Sequence, residues 1–110
     1  MEIQERKTDG IVFLFLKGRL DASTSPLLEE KMAGLLDAGE TRFAIQSAEL
    51  DYISSSGLRV LLMGAKRLRG TAGKIVLVSP KPHVKDVFDI AGFTAIFPIV
   101  ASEAEARETL

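Results

Sequence analysis

Residues 11–16 (IVFLFL) and 75–78 (IVLV) carry an apolar side chain at every position, the pattern of short, fully buried strands. Asp9-Gly10 before the first run is a turn dipeptide, and residues 3–7 form a weaker strand candidate, so the pattern predicts an N-terminal hairpin whose second strand is buried. Ser25-Pro26 then supplies a helix cap followed by proline at the first helical position. Leu28, Met32, Leu35 and Leu36 fall on one face of that helix before Gly39 ends it. Phe43-Ala44-Ile45 is a short strand. Beyond it Leu58, Leu61, Leu62, Ala65 and Leu68 recur at helical spacing, with Arg59, Lys66 and Arg67 off the stripe.

The strand at 74–78 is followed by Pro80 and Pro82, which open a third helix bearing Val84, Val87, Phe88 and Ala91 before Gly92. Ile96-Phe97-Pro98-Ile99 predicts a short edge strand, since proline cannot donate to a ladder. Ser102 with Glu105 is a capping box and predicts a terminal helix. The order is β-β-α-β-α-β-α-β-α, which calls for one α/β domain over residues 1–110, with a mixed, mostly parallel sheet and crossover helices. Leu61, Leu62, Leu77 and Val87 are core by spacing, and Met63 suits either a core edge or an exposed contact.

Composition narrows the function classes. With 46% apolar and 26% charged residues, the 110-residue chain has globular composition and the length of one domain. A net charge of −1, with basic residues interspersed among acids, gives no electrostatic basis for nucleic-acid binding. The absence of cysteine excludes disulfides, thiolate metal sites and cysteine nucleophiles, and no cluster of His and acids suggests a metal or other cofactor. No apolar run is long enough to cross a bilayer, and the first residues carry acids where a secretory signal is basic. The expectation is a cytoplasmic protein without direct membrane insertion.

The run Ser54-Ser55-Ser56-Gly57 between strand and helix is the candidate chemistry. One serine suffices to cap a helix, here expected to begin at Gly57; the run reads either as capping alone or, since three in succession exceed that need, as hydroxyls for phosphorylation or partner binding. A catalytic serine is disfavoured. The lone histidine, His83, lies at the start of a different helix and reads as a surface residue, and the run lacks the leading glycine of a nucleophile elbow. No nucleotide-phosphate loop spacing occurs.

Gly18-Arg19-Leu20-Asp21 before the first helix, and Phe43-Ala44-Ile45 leading through Leu50-Asp51-Tyr52-Ile53 to Ser54-Ser55-Ser56-Gly57-Leu58, resemble the STAS domain, in particular the anti-sigma-factor antagonists. The resemblance spans nearly the whole chain. It implies a non-enzymatic regulator that binds a serine-kinase anti-sigma factor, is switched off when that kinase phosphorylates it, and is restored by a serine phosphatase. The family's acceptor, two positions before the glycine, falls on Ser55, with Ser54 as a second candidate. Partner contact is implied for Asp21, Ser23, Thr24, Ser25, Asp51, Ser54, Ser56, Gly57, Arg59 and Met63. For Asp21 a loop turn or cap is the structural alternative. Two departures remove negative charge: Ser54 stands where the family usually has aspartate, and Gln46 where it often has an acid. The alternative within the family is an unphosphorylated adaptor subunit, for example of a lipid-transport ATPase, in which the serines only cap and dock.

Overall fold

The computed structural model describes residues 1–110. A hairpin of β1 (Glu2–Thr8) and β2 (Ile11–Leu20) opens the chain, turning on Asp9 and Gly10, both at positive φ (55° and 73°). These are the backbone angles a two-residue hairpin requires, and aspartate and glycine tolerate them best. Helix α1 (Ser25–Asp37), strand β3 (Arg42–Ile53), helix α2 (Ser55–Arg67), strand β4 (Lys74–Val78), helix α3 (Pro82–Ile90), strand β5 (Ile99–Val100) and helix α4 (Glu103–Thr109) follow, as the apolar pattern predicts.

The strands lie in sequence order, β1-β2-β3-β4-β5, antiparallel only at the hairpin. When successive parallel strands are always added on the same side, right-handed crossovers put every connecting helix on one face. Accordingly Leu28 and Met32 of α1, Leu58 and Leu61 of α2, and Val84 and Phe88 of α3 share one core with Val12, Leu14, Phe43, Ile45, Ile75 and Leu77. Ala106 of α4 packs on the opposite face with Ile11, Phe13, Ala44, Val76 and Val78. The guanidinium groups of Arg6 and Arg107 complete that cover, 5.2 and 5.4 Å from the centre of the Phe13 ring. Coverage on both faces is why the central strands read as unbroken apolar runs instead of alternating.

Five expectations change. Ser25, expected to cap α1, is instead its first helical residue, and Thr24 holds the cap position without a side-chain capping bond. β3 runs twelve residues where a short strand at 43–45 is expected. Its polar second half is held by continued pairing with β2, through Lys17↔Glu49 to Leu20↔Ile53, across two register shifts. The edge strand expected at 96–99 is instead a 3-10 turn at Phe93–Ala95 followed by β5. Phe97 is buried there, edge-on to Phe88 at 5.8 Å, and its aromatic contacts take residues 96 and 97 out of the ladder. Helix α2 begins at Ser55 rather than Gly57. Leu62 and Val87, expected in the core, are only half-buried, Val87 at its margin, while Leu61 and Leu77 are fully inside. No helix is long and apolar enough to cross a membrane.

Candidate functional site

β3 outruns β4, which pairs with it only along Arg42 to Gln46, but β2 stays beside it to the end. The two strands therefore finish together at Leu20 and Ile53, and the Ser54 amide donates to the Leu20 carbonyl at 2.9 Å. This brings the loop after β2 and the serine run after β3 side by side at the carboxyl edge of the sheet, where open parallel sheets form their binding crevices.

The three serines differ. Ser54 has extended backbone (φ −93°, ψ 173°), and its hydroxyl oxygen accepts from the Gly57 amide at 3.3 Å, so it is the cap. Ser55, the first helical residue, is exposed, and its hydroxyl has no hydrogen-bond partner in the protein. Ser56 is half-buried and lines a hollow between α1 and α2 with Pro26, Glu29, Arg59, Val60 and Met63. Aspartate, the residue that the resemblance leads one to expect at position 54, is an equally good cap. Serine there keeps the helix start and deletes only the charge.

Gly57 and Ser25, expected as partner contacts, lie beneath the surface instead. A Cβ on Gly57 would sit 2.8 Å from Leu20 Cγ and 3.0 Å from Ile53 Cγ1, so glycine is what allows the first turn of α2 to rest on the strand ends. Ser25 is 4% exposed, and its hydroxyl donates to the Asp21 carbonyl at 2.6 Å. The remaining expected residues reach the surface at least in part: Ser23, Asp51, Arg59 and Met63 are exposed, Asp21 and Thr24 half-buried. Met63 is 45% exposed, which settles its placement on the surface.

Asp21 organises its loop. Its carboxylate accepts from the Ser23 amide (3.0 Å), the Ser23 hydroxyl (2.8 Å) and the Thr24 amide (3.2 Å), while the Thr24 hydroxyl donates to the Arg19 carbonyl at 2.8 Å. The Ser23 hydroxyl, followed by these amides, holds the Asp21 carboxyl below its ordinary value. The structural alternative for Asp21 is thus present, and its second oxygen still faces solvent 3.9 Å from Arg19 Nε.

Asp51 is ion-paired with Lys81, whose hydrogen bond and charge hold its carboxyl below the usual range. His83 Nε2 stands 2.6 Å from the Asp51 carbonyl, and since a carbonyl only accepts, that nitrogen carries a proton. The lone histidine comes closer to the serine run than its sequence position suggests, but it is occupied with backbone rather than with a hydroxyl. Arg19 stacks over the exposed Tyr52 ring at 4.2 Å. Arg19, Tyr52, Lys81 and His83 are the site residues that sequence reasoning missed. Arg19 and Tyr52 were within the motifs as flanking letters, whereas Lys81 and His83 are brought in by folding from 30 residues away or more. No three His, Asp or Glu side chains converge to hold a metal ion.

A singly wound sheet with its three connecting helices on one face, α4 on the other, and a free hydroxyl at the start of α2 define a small α/β domain. The chain belongs to the STAS domain family, whose model matches residues 2–106. It is 42% identical, over 96% of its length and 91% of the relative's, to BtrV of Bordetella bronchiseptica, a candidate anti-sigma factor antagonist by name. It is 31% identical, over the same shares, to the anti-sigma-B factor antagonist of Listeria monocytogenes. Among solved structures, the anti-sigma factor antagonist SpoIIAA in its unphosphorylated form superposes with a TM-score of 0.85 at 26% identity, covering 98% of this chain and 95% of that one. The phosphorylated form of SpoIIAA, from Bacillus, gives 0.77 at 25% identity, with 98% of each chain covered. These relatives are regulators by name.

Proposed function

We propose that this domain is a cytoplasmic anti-sigma factor antagonist, and that its hold on a serine-kinase anti-sigma factor is ended when that kinase phosphorylates Ser55. The observation that carries this reading is the division of labour in the serine run. Ser54 is occupied as the cap, and Ser55 stands exposed at the first helical position with no hydrogen-bond partner in the protein. An adaptor whose serines only cap and dock would carry that hydroxyl unmodified. The names of the relatives and the existence of a phosphorylated SpoIIAA support the same choice.

In the transfer, Ser55 Oγ bonds to the γ-phosphorus of ATP, the bond from that phosphorus to the bridging oxygen breaks, and ADP leaves. The hydroxyl proton passes to a base of the kinase, because His83, the only imidazole near, is held on the Asp51 carbonyl. The product adds about 1.5 to 2 negative charges. Opposite an acidic group of the partner about 4 Å away, each charge pair costs about 4 kcal/mol at an effective dielectric near 20. That lowers affinity several hundred- to a thousandfold. Exclusion at the docking face therefore suffices, without refolding, and a serine phosphatase restores binding.

Incubating the purified chain with its anti-sigma kinase and ATP tests the reading by mass spectrometry. One phosphate on Ser55, retained in Ser54→Ala and lost in Ser55→Ala, is the expected result. Modification of Ser54, or of neither serine, overturns it.

A further inference from the structure

We infer that Arg59 receives the phosphate carried by Ser55, so that modification both adds negative charge to the docking face and withdraws a cation from it. The inference rests on the assignment of Ser55 as acceptor, and it follows from the exposed stripe of α2. Ser55, Arg59, Met63 and Arg67 recur at intervals of four along that stripe and are all exposed. The two arginines are in different states. Arg67 is paired with Asp37 at 2.7 Å, whereas Arg59 takes part in no ion pair and no hydrogen bond. Glu29 of α1 lines the same hollow but is not paired with it either.

Residues four apart on a helix are neighbours on its surface, and an anion four residues before a cation is the favourable polarity of such a pair. Phosphoserine at 55 and arginine at 59 meet both conditions. A guanidinium also matches phosphate geometrically, since its planar fork donates two hydrogen bonds to two oxygens. The neighbouring letters agree: Ser54 contributes no charge to repel the phosphate, and the first turn of α2 contains no acid to compete for Arg59. A free arginine one turn beyond a free hydroxyl is thus a ready-made counter-ion for the modified state.

The test places phosphoserine at position 55 during translation of the full chain, which makes it independent of any kinase. A failure of the assignment of Ser55 is thereby separable from a failure here. The phosphorus-31 shift is followed against pH in the Arg59 chain and in Arg59→Gln. A paired phosphate loses its second proton more easily, so the apparent pKa is expected about 0.2 to 0.4 unit lower with Arg59 than with Gln. The gap should close in about 1 M sodium chloride, where an exposed pair is screened. Coincident titration curves, or a gap that persists at high salt, overturn the inference.

Discussion

Two helices in this domain start on a serine cap, and they are finished differently. At α4 the Ser102 hydroxyl accepts from the Glu105 amide at 3.2 Å, the Glu105 carboxylate accepts in return from the Ala101 amide at 2.9 Å, and Glu103 adds a second acid to the first turn. At α2 the Ser54 cap is made, at 3.3 Å, but the first turn holds no acid. Helix α4 is seven residues long and buries only Ala106, so it depends on its end for stability. Helix α2 is thirteen residues long and buries Gly57, Leu58, Val60, Leu61 and Gly64, so packing holds it in place. Its positive end remains open to an anion from outside the helix. A start closed by its own acids serves the fold, and one left open beside a free hydroxyl is suited to regulation.

The third helical residue of each element gives the largest expected separation. Gly57→Ala should destabilise by about 1 to 3 kcal/mol in urea unfolding, because the new Cβ meets Leu20 and Ile53 below van der Waals distance. That loss appears against alanine's intrinsic helix advantage of about 1 kcal/mol over glycine. Glu105→Ala, at the equivalent place in α4, removes a surface hydrogen bond worth about 0.5 to 1.5 kcal/mol and introduces no clash. A stabilised Gly57→Ala protein would mean that α2 is not pressed against the strand ends, and the comparison would fail.

Acids placed at the caps sharpen it with smaller effects. Ser54→Asp should retain the cap and stabilise the domain by about 0.3 to 1 kcal/mol through the unfilled helix end. Ser102→Asp should gain less, since Glu103 and Glu105 already occupy that field. Equal gains in thermal melting at the two positions would contradict the assignment of α2 as the open end.

Legibility in the sequence followed the distance over which each feature is decided. The cap of α4 was readable because Ser102 and Glu105 are three residues apart: the Ser102 hydroxyl takes the Glu105 amide, while the Glu105 carboxylate reaches back one residue further, to the Ala101 amide. The helices and apolar strands were readable from periodicity alone. Which serine caps α2 was not, since the answer depends on the residue at which the helix begins, and that is Ser55, two residues before the expected Gly57. The second half of β3 looks like loop because its strand character comes from Lys17 to Leu20 on β2. Asp51 gave no sign of its partners for the same reason, as Lys81 and His83 arrive through the fold.

The smallest effect concerns two carboxylates in the segments that flank the α2 start, neither of which bonds to it. Asp21 and Asp51 both have folded-state values below the ordinary 3.8, the first through the Ser23 hydroxyl and nearby amides, the second through Lys81. A depressed folded value means that the unfolded chain binds protons more readily. The contribution is therefore complete above the unfolded value, near pH 4, and is lost as pH falls through the folded one. Both groups face water, so the global change is small and the local one is the better measure. Amide exchange at Ser23 and Thr24, corrected for intrinsic rates, should accelerate below about pH 4 as the Asp21 carboxylate takes a proton and becomes a poorer acceptor for those amides. In Asp21→Asn the side-chain carbonyl still accepts but no longer titrates, so the corrected rates should stay level across the same range. Level rates in the unsubstituted chain as well would show that the loop is held by the Thr24 and Ser25 hydroxyls, which donate to the Arg19 and Asp21 carbonyls, rather than by the charge of Asp21.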